Sequence, residues 1–359
     1  MIPAGGVGTR LWPLSRADAP KFLHDLTGAG TTLIRSTYER LTPLAGGHMM
    51  VVTGANHGEA VMQQLPELEE ANLVLEPEPK DSAAAIGLAA AILHRRAPDA
   101  ILGSFAADQV IAPVETFQEA VREAVVTAAT GQIVTIGIKP SHPSTAFGYI
   151  RAGDPQPLEG APHAHHVVEF VEKPSEEVAV QYVRSGDYLW NAGMFVAPVD
   201  LLLEHLAKTE PELHAGLLEI AAAWDTENRD EVLQRVWPGL TKTAIDYAVA
   251  EPAAQAGDLA VIPGDFTWDD VGDFAALARL NPAAMQEGMI VLGTKPRVYS
   301  EDASGVVVSE TQRVVALIGV ENIVVVDTED ALLVTTTDHA QNVKQAVEAL
   351  KKKGDSDVL

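Results

Sequence analysis

The sequence predicts an α/β fold, a mostly parallel sheet with helices on both faces, followed by a small β-rich second domain. Three observations carry this. Strand and helix signals alternate between about residues 33 and 138. A glycine loop, Gly5-Gly6-Val7-Gly8, opens the alternating stretch. Beyond Asn281-Pro282 short apolar strands recur without helices between them. The 359 residues allow one large domain, 1–282, and a smaller one, 283–359, ending in a helix.

In chain order, only Met1-Ile2-Pro3-Ala4 precede the loop, so the first strand is short or the start has been assigned late. Leu33, Ile34, Thr37, Tyr38 and Leu41 share one helical face, with Thr31 or Thr32 as N-cap. Residues 49–53 and 72–75 are short buried strands, and Ser82 is the cap of an alanine-rich helix over 83–96. Residues 101–105 form a central strand that delivers Asp108 at its C-terminal end. Thr116 and Glu119 make a capping box for a helix to about 129, and 132–138 is the next strand. The proline- and glycine-containing stretch 139–166 is a loop or hairpin. A strand over 167–171 leads to a helix capped by Ser175 and ended by Gly186, and Trp190 enters another strand. Helices follow at about 198–222, 228–236 and 243–250, then a strand at 259–263. The tail carries strands near 289–292, 305–309, 313–318, 322–327 and 331–335, and a last helix over 337–352.

Composition narrows the function. A net charge of −25 repels nucleic acid and anionic membranes. The cations beside the glycine loop, Arg10 and Lys21, therefore stand out as partners for a small anion. Zero cysteines exclude disulfides and thiolate chemistry. No apolar run reaches the ~20 residues of a membrane span and no signal peptide opens the chain, so a cytoplasmic protein is expected.

The glycine loop can leave several backbone N–H groups open to a polyphosphate, with one forked and one point-like cation close by. It is neither a dinucleotide fingerprint, since Leu11 stands where glycine is required, nor a P-loop. The bland alternative is a turn with two surface cations. Asp108 and Asp270 suit a hard divalent cation that keeps waters and takes substrate phosphate oxygens; equally, each can cap a turn. Lys173 and Glu172 offer a cation for phosphate and a carboxylate for hydroxyls, or a solvated pair. Lys80-Asp81-Ser82 opens a helix, and Asp81 can accept from guanine's two donors, although a plain capping role suits Ser82. His163, His165 and His166 lack metal-site spacing and read as solvated. No catalytic triad or covalent nucleophile is suggested.

These stretches together resemble the sugar nucleotidyltransferases, and most closely the mannose-1-phosphate guanylyltransferases. The resemblance runs through Gly5-Gly6-Val7-Gly8-Thr9-Arg10-Leu11-Trp12-Pro13-Leu14-Ser15-Arg16 with Pro20-Lys21, then Glu78-Pro79-Lys80-Asp81-Ser82-Ala83, Ala107-Asp108 and Phe147-Gly148-Tyr149-Ile150. It continues through Phe170-Val171-Glu172-Lys173-Pro174, Trp190-Asn191-Ala192-Gly193-Met194-Phe195, Ala244-Ile245-Asp246-Tyr247-Ala248 and Trp268-Asp269-Asp270-Val271-Gly272. It implies a Rossmann-like (GT-A-like) nucleotidyltransferase domain with a mixed sheet, and a left-handed β-helix-like C-terminal part. It implies transfer of GMP from GTP to mannose 1-phosphate, giving GDP-mannose and diphosphate, with Mg²⁺ as cofactor. By the same resemblance, Arg10 and Lys21 neutralise the phosphates, and Asp108 and Asp270 hold the metal. Ala4, Gly5, Gly6, Gly8 and Thr9 contact the nucleotide with Arg10 and Asp108, while Lys80, Asp81 and Ser82 line the base pocket. Lys173 takes the sugar phosphate, and Glu172, Asn191 and Gly148 the sugar.

The chain departs from the family pattern at Ala106 and Gln109, and no cupin-like isomerase domain is expected. The competing readings are a sister enzyme using glucose 1-phosphate with UTP, dTTP or ATP, and a catalytically silent sugar-nucleotide-binding paralogue. The silent reading is weakened because Arg10, Lys21, Asp108 and Asp270 are all present. Exposed strand edges in the second domain allow a homodimer.

Overall fold

The computed structural model describes residues 1–280, 285–286, 288–294 and 296–359; the expected boundary at 282/283 lies outside the described residues. The chain runs β1 (Ile2–Ala4), α1 (Leu33–Ala45), β2 (Val51–Gly54), α2 (Gly58–Gln64), β3 (Leu73–Glu76), α3 (Ser82–Arg96), β4 (Ile101–Ser104), β5 (Val110–Ala112), α4 (Val114–Ala128) and β6 (Ile133–Ile138). It continues through β7 (Gly148–Pro155), β8 (His165–Val171), α5 (Glu176–Ser185), β9 (Tyr188–Pro198), α6 (Val199–Thr209), α7 (Pro211–Ala223) and α8 (Arg229–Val236). α9 (Glu251–Ala256), β10 (Leu259–Gly264), β11 (Thr267–Asp269) and α10 (Phe274–Leu280) complete the larger part.

Three residues suffice for β1 because it lies inside a sheet. It pairs in parallel with β2, and β2 with β3. On its other side the N–H groups of Phe105 and Ala107 donate to the carbonyls of Met1 and Pro3, each at 3.1 Å. Those bonds make the stretch around β4 central, as its apolar run predicts. The sheet then continues β4-β9-β6-β10-β8-β7. Here the expectation of a mostly parallel sheet fails: β9 runs antiparallel to both β4 and β6, and β7 and β8 form a hairpin. The mixed sheet implied by the family resemblance is the one found.

Helices cover both faces. From Ala83 to Ile92 every residue of α3 is buried, so this helix is sandwiched rather than amphipathic. A Cβ at Gly87 would lie 2.6 Å from Leu217 Cδ1, which is why glycine sits where α3 crosses α7. α1 and α4 line the opposite face, with Ile34, Phe117 and Val121 in a second core.

Several local expectations shift. α4 starts at Val114 after Pro113, two residues ahead of the capping box, because Pro113 supplies an extended N-cap with φ −74°. Asp81, not Ser82, caps α3, accepting from Ser82 N at 2.8 Å. The helix expected over 198–222 is broken before Pro211, and 246–250 is a π-helical turn running into α9. The last helix begins as a 3₁₀ segment, Thr337–Asn342, before α11 (Val343–Lys353).

The smaller part contains β12 (Met285–Gln286), β13 (Met289–Leu292), β14 (Arg297–Glu301), β15 (Gly305–Ser309), β16 (Val314–Ile318), β17 (Ile323–Asp327) and β18 (Leu332–Thr336). β13, β15 and β17 stack in parallel, as do β14 and β16, giving a coil of alternating strands around Val307, Leu317 and Val325. β14 was not expected from the sequence. At both ends of the five-stranded sheet the outermost strand, β12 or β18, turns antiparallel. Among the described residues no helix is long and apolar enough to cross a membrane.

Candidate active site

In sheets of this kind ligands bind beyond the C-terminal ends of the parallel strands. The glycine loop leaves β1 there. Gly8 takes φ 72°, and a Cβ on it would lie 3.0 Å from Lys21 Cβ, so the loop is pressed against the Lys21 stem. Lys21 is 8% exposed. Its ammonium lies 2.8 Å from Asp108 Oδ2 and donates to the carbonyl of Asp270 at 2.6 Å. Gly6 faces Asp108, since a Cβ there would stand 3.6 Å from Oδ2. Arg10 completes the group: a Cβ on Gly272 would be 3.5 Å from Asp270 Oδ1 and 3.8 Å from Arg10 Nη1.

Asp108 and Asp270 are joined by a ribbon that the sequence did not reveal. β5 and β11 pair antiparallel with Asp269 opposite Val110, so the two aspartates, distant in the chain, emerge at the same end. Burial pushes the Asp270 carboxyl above its ordinary value; Lys21 opposes this, and the neighbouring Asp269 and Asp108 add to it. A buried carboxyl with negative charge crowded around it makes a site for a cation. Among the described residues no cluster of three or more His, Asp or Glu side chains could hold a metal. An ion bound at Asp108 and Asp270 would therefore need further oxygens from water or substrate, a pattern that suits Mg²⁺.

The opposite flank collects Gly148, Glu172, Lys173 and Asn191. Gly148 lies opposite Asn191 in the β7–β9 register, and a Cβ on it would collide with Glu172 Oε2. Glu172 Oε2 is buried without a hydrogen-bond partner, while Oε1 lies 2.7 Å from Lys173 Nζ. Burial works against the Lys173 ammonium, but the Glu172 hydrogen bond and charge outweigh it and hold its pKa above the usual value. The Asn191 amide donates to Asp246 Oδ1 at 2.7 Å, and its Oδ1 accepts from Thr135 at 3.0 Å and from Gly193 N at 3.1 Å. Asp246 had received no role from the sequence. Burial, with the charge of Glu172 added, pushes its carboxyl up to about 6.

Lys80, Asp81 and Ser82 lie at the start of α3. Lys80 donates to the carbonyl of Pro238 at 2.7 Å and pairs with Glu78 at 2.9 Å. The Ser82 hydroxyl accepts from Ile245 N at 2.9 Å, tying this corner to the segment carrying Asp246. Nearby, burial and the charge of Asp81 push the Glu76 carboxyl up to about 7. Backbone strain gathers next to these residues: Asp81, Lys173 and the β-branched Val271 take φ of 70°, 47° and 47°. Gln109, a departure from the family pattern, is buried and donates to the carbonyl of Ala192 at 2.8 Å, linking the two flanks. Of the three histidines, His163 pairs with Glu123 at 2.8 Å and His165 bonds the carbonyl of Gly153 at 3.0 Å.

A glycine loop, two cations and two carboxylates at the end of such a sheet define a phosphate-handling transferase, and comparison with known proteins agrees. The chain belongs to the nucleotidyl transferase family, whose model matches residues 1–287, and residues 297–350 match the MannoseP isomerase/GMP-like beta-helix domain. Within that family its full-length likeness is to mannose-1-phosphate guanylyltransferases. The Escherichia coli K12 protein of that name is 36% identical over 99% of this chain and 73% of its own length. The Salmonella typhimurium protein is 37% identical over the same shares. A crystal structure of mannose-1-phosphate geranyltransferase from Thermus thermophilus superposes with a TM-score of 0.84, at 33% identity over 98% of each chain.

Proposed function

We propose that this chain transfers GMP from GTP to α-D-mannose 1-phosphate, giving GDP-mannose and diphosphate. The substrates follow from the names of its full-length relatives. The observation that carries the chemistry is Lys21, bonded at once to the Asp108 carboxylate and the Asp270 carbonyl beside the glycine loop.

In this reading a phosphate oxygen of mannose 1-phosphate attacks the α-phosphorus of GTP in line. A new P–O bond forms as the bond between the α-phosphorus and the bridging oxygen to the β-phosphate breaks. The electron pair leaves with diphosphate. No covalent enzyme intermediate is required, so the protein's work is positioning and charge neutralisation. Residues 5–9 offer backbone N–H groups to the triphosphate, and Arg10 and Lys21 offset charge growing on the leaving diphosphate. Asp108 and Asp270 would hold Mg²⁺, which supplies positive charge to the phosphate oxygens when bound. Lys173 orients the sugar phosphate. Glu172 and Asn191 accept and donate toward the sugar hydroxyls, with Asp246 fixing the Asn191 amide. Lys80, Asp81 and Ser82 border the base, with the Asp81 carboxylate suited to guanine's paired donors.

Diphosphate release by purified protein with Mg²⁺, across four nucleoside triphosphates crossed with mannose and glucose 1-phosphates, tests this. Release confined mainly to GTP with mannose 1-phosphate is expected. Stronger release from a glucose pairing would replace the substrates and keep the mechanism. No release from folded protein that binds GTP would overturn the catalytic reading.

A further inference from the structure

Arg16 belongs to the most distinctive stretch of the sequence, yet the proposed chemistry gives it no task. It reaches toward the second domain. Its guanidinium forks onto both oxygens of Asp330, at 2.6 and 2.5 Å, and reaches Thr328 Oγ1 at 3.2 Å. Its Nε donates to the carbonyl of Pro13 at 2.9 Å, so one side chain holds both the turn of the catalytic loop and the β17–β18 turn. A cleft lined by Leu14, Asp18, His24, Leu292, Glu310 and Glu329 flanks the pair. The clamp therefore spans a gap between the domains.

Beneath that clamp the two domains share one apolar core. Leu11 and Val271, each fully buried, directly follow Arg10 and Asp270. Both sit in a cluster completed by Ile290, Val306, Val324 and Ala340 of the second domain. Trp12 packs on Val343 and Val347, and its indole N–H donates to the carbonyl of Val358 at 2.7 Å. Gln341 also donates to Asp273, just beyond the Asp270 turn. The backbone of Arg10 and that of Asp270 are thus supported from behind by residues of the β-rich domain.

We infer that this domain is a brace for the catalytic loop, with Arg16 and Asp330 as its positioning residues: the ion pair and the shared core hold Arg10 and the Asp270 turn in register for phosphoryl transfer. The inference rests on the proposed function. Neither Arg16 nor Asp330 touches substrate in it. Their effect passes through loop geometry, where a shift of about 1 Å costs as much as 10²-fold in rate.

The test is a double-mutant cycle on the full chain with Arg16→Ala, Asp330→Asn and the double variant. Each is followed by steady-state kinetics and by amide hydrogen exchange of residues 9–16 and 270–273. Expected are a loss of kcat on the order of tenfold in either single variant and no further loss in the double. KM for GTP should stay within about twofold, and exchange should quicken in both segments. Wild-type kcat together with unchanged exchange in the single variants would overturn the brace, as would losses that multiply in the double. If the wild-type chain itself turns nothing over, the functional reading falls, and the exchange measurement alone decides whether the clamp orders the loop.

Discussion

On the flank proposed for the nucleotide the glycine loop, Arg10 and Lys21 come from one stretch of chain, whereas the flank proposed for the sugar draws Gly148, Glu172, Asn191 and Asp246 from four. The first flank is made by parallel strands and a loop held from behind by a second domain. The second is made by antiparallel strands whose registers bring separate residues side by side. The charges differ as well. Around Lys21 a cation already lies between the Asp108 carboxylate and the Asp270 carbonyl. Around Asn191 burial and the charge of Glu172 raise the Asp246 carboxyl, and one lysine, Lys173, pairs with Glu172. The contrast suggests that the first flank supplies rate and the second supplies selectivity.

The largest test of that division falls on the nucleotide flank. Arg10→Ala and Asp270→Asn should each lower kcat about 10²-fold or more, the scale of losing a preorganised electrostatic stabiliser. Turnover within a few-fold of wild type would break the assignment. Asn191→Ala should act on the other flank, raising KM for mannose 1-phosphate about tenfold through its lost hydrogen bonds. KM for GTP should hardly move, and equal shifts in both constants would erase the distinction.

A third test uses Asp246. With a folded value of about 6 against about 4 unfolded, its carboxyl binds a proton more readily in the native state. Its contribution to stability is therefore present at low pH and is lost as pH rises between those values. Thermal melts of wild type and Asp246→Asn at pH 5 and pH 7 should show the wild type gaining on the variant at pH 5. A difference independent of pH would remove the buried-carboxyl argument. The smallest effect belongs to Ser82→Ala, which strips the acceptor from Ile245 N and should cost about 1 kcal/mol in urea unfolding.

What could be read from the sequence follows the same divide. The glycine loop with Arg10 and Lys21 was legible because its chemistry is local, and Asp108 because an apolar strand precedes it. Asp246 was not, because it acts through Asn191 and its burial comes from packing far along the chain. The pairing of Asp108 with Asp270 came only from the family resemblance, because three-residue strands such as β5 and β11 carry too little periodicity to register. At α3 the rule that serine caps helices failed because Asp81 takes a left-handed φ and accepts from Ser82 N, which frees the serine for Ile245. Arg16 stood in plain view inside a motif, but its partner Asp330 belongs to another domain.

The antiparallel strands at either end of the second domain's five-stranded sheet also matter for the protein's life at high concentration. A coil of parallel strands exposes, at each end, a row of backbone donors and acceptors matching the opposite end of another copy, and such an end invites head-to-tail filament growth. By reversing direction, β12 and β18 present a rim that does not continue the repeat. On its five-stranded face the second domain is thereby a solenoid with a stop at either end.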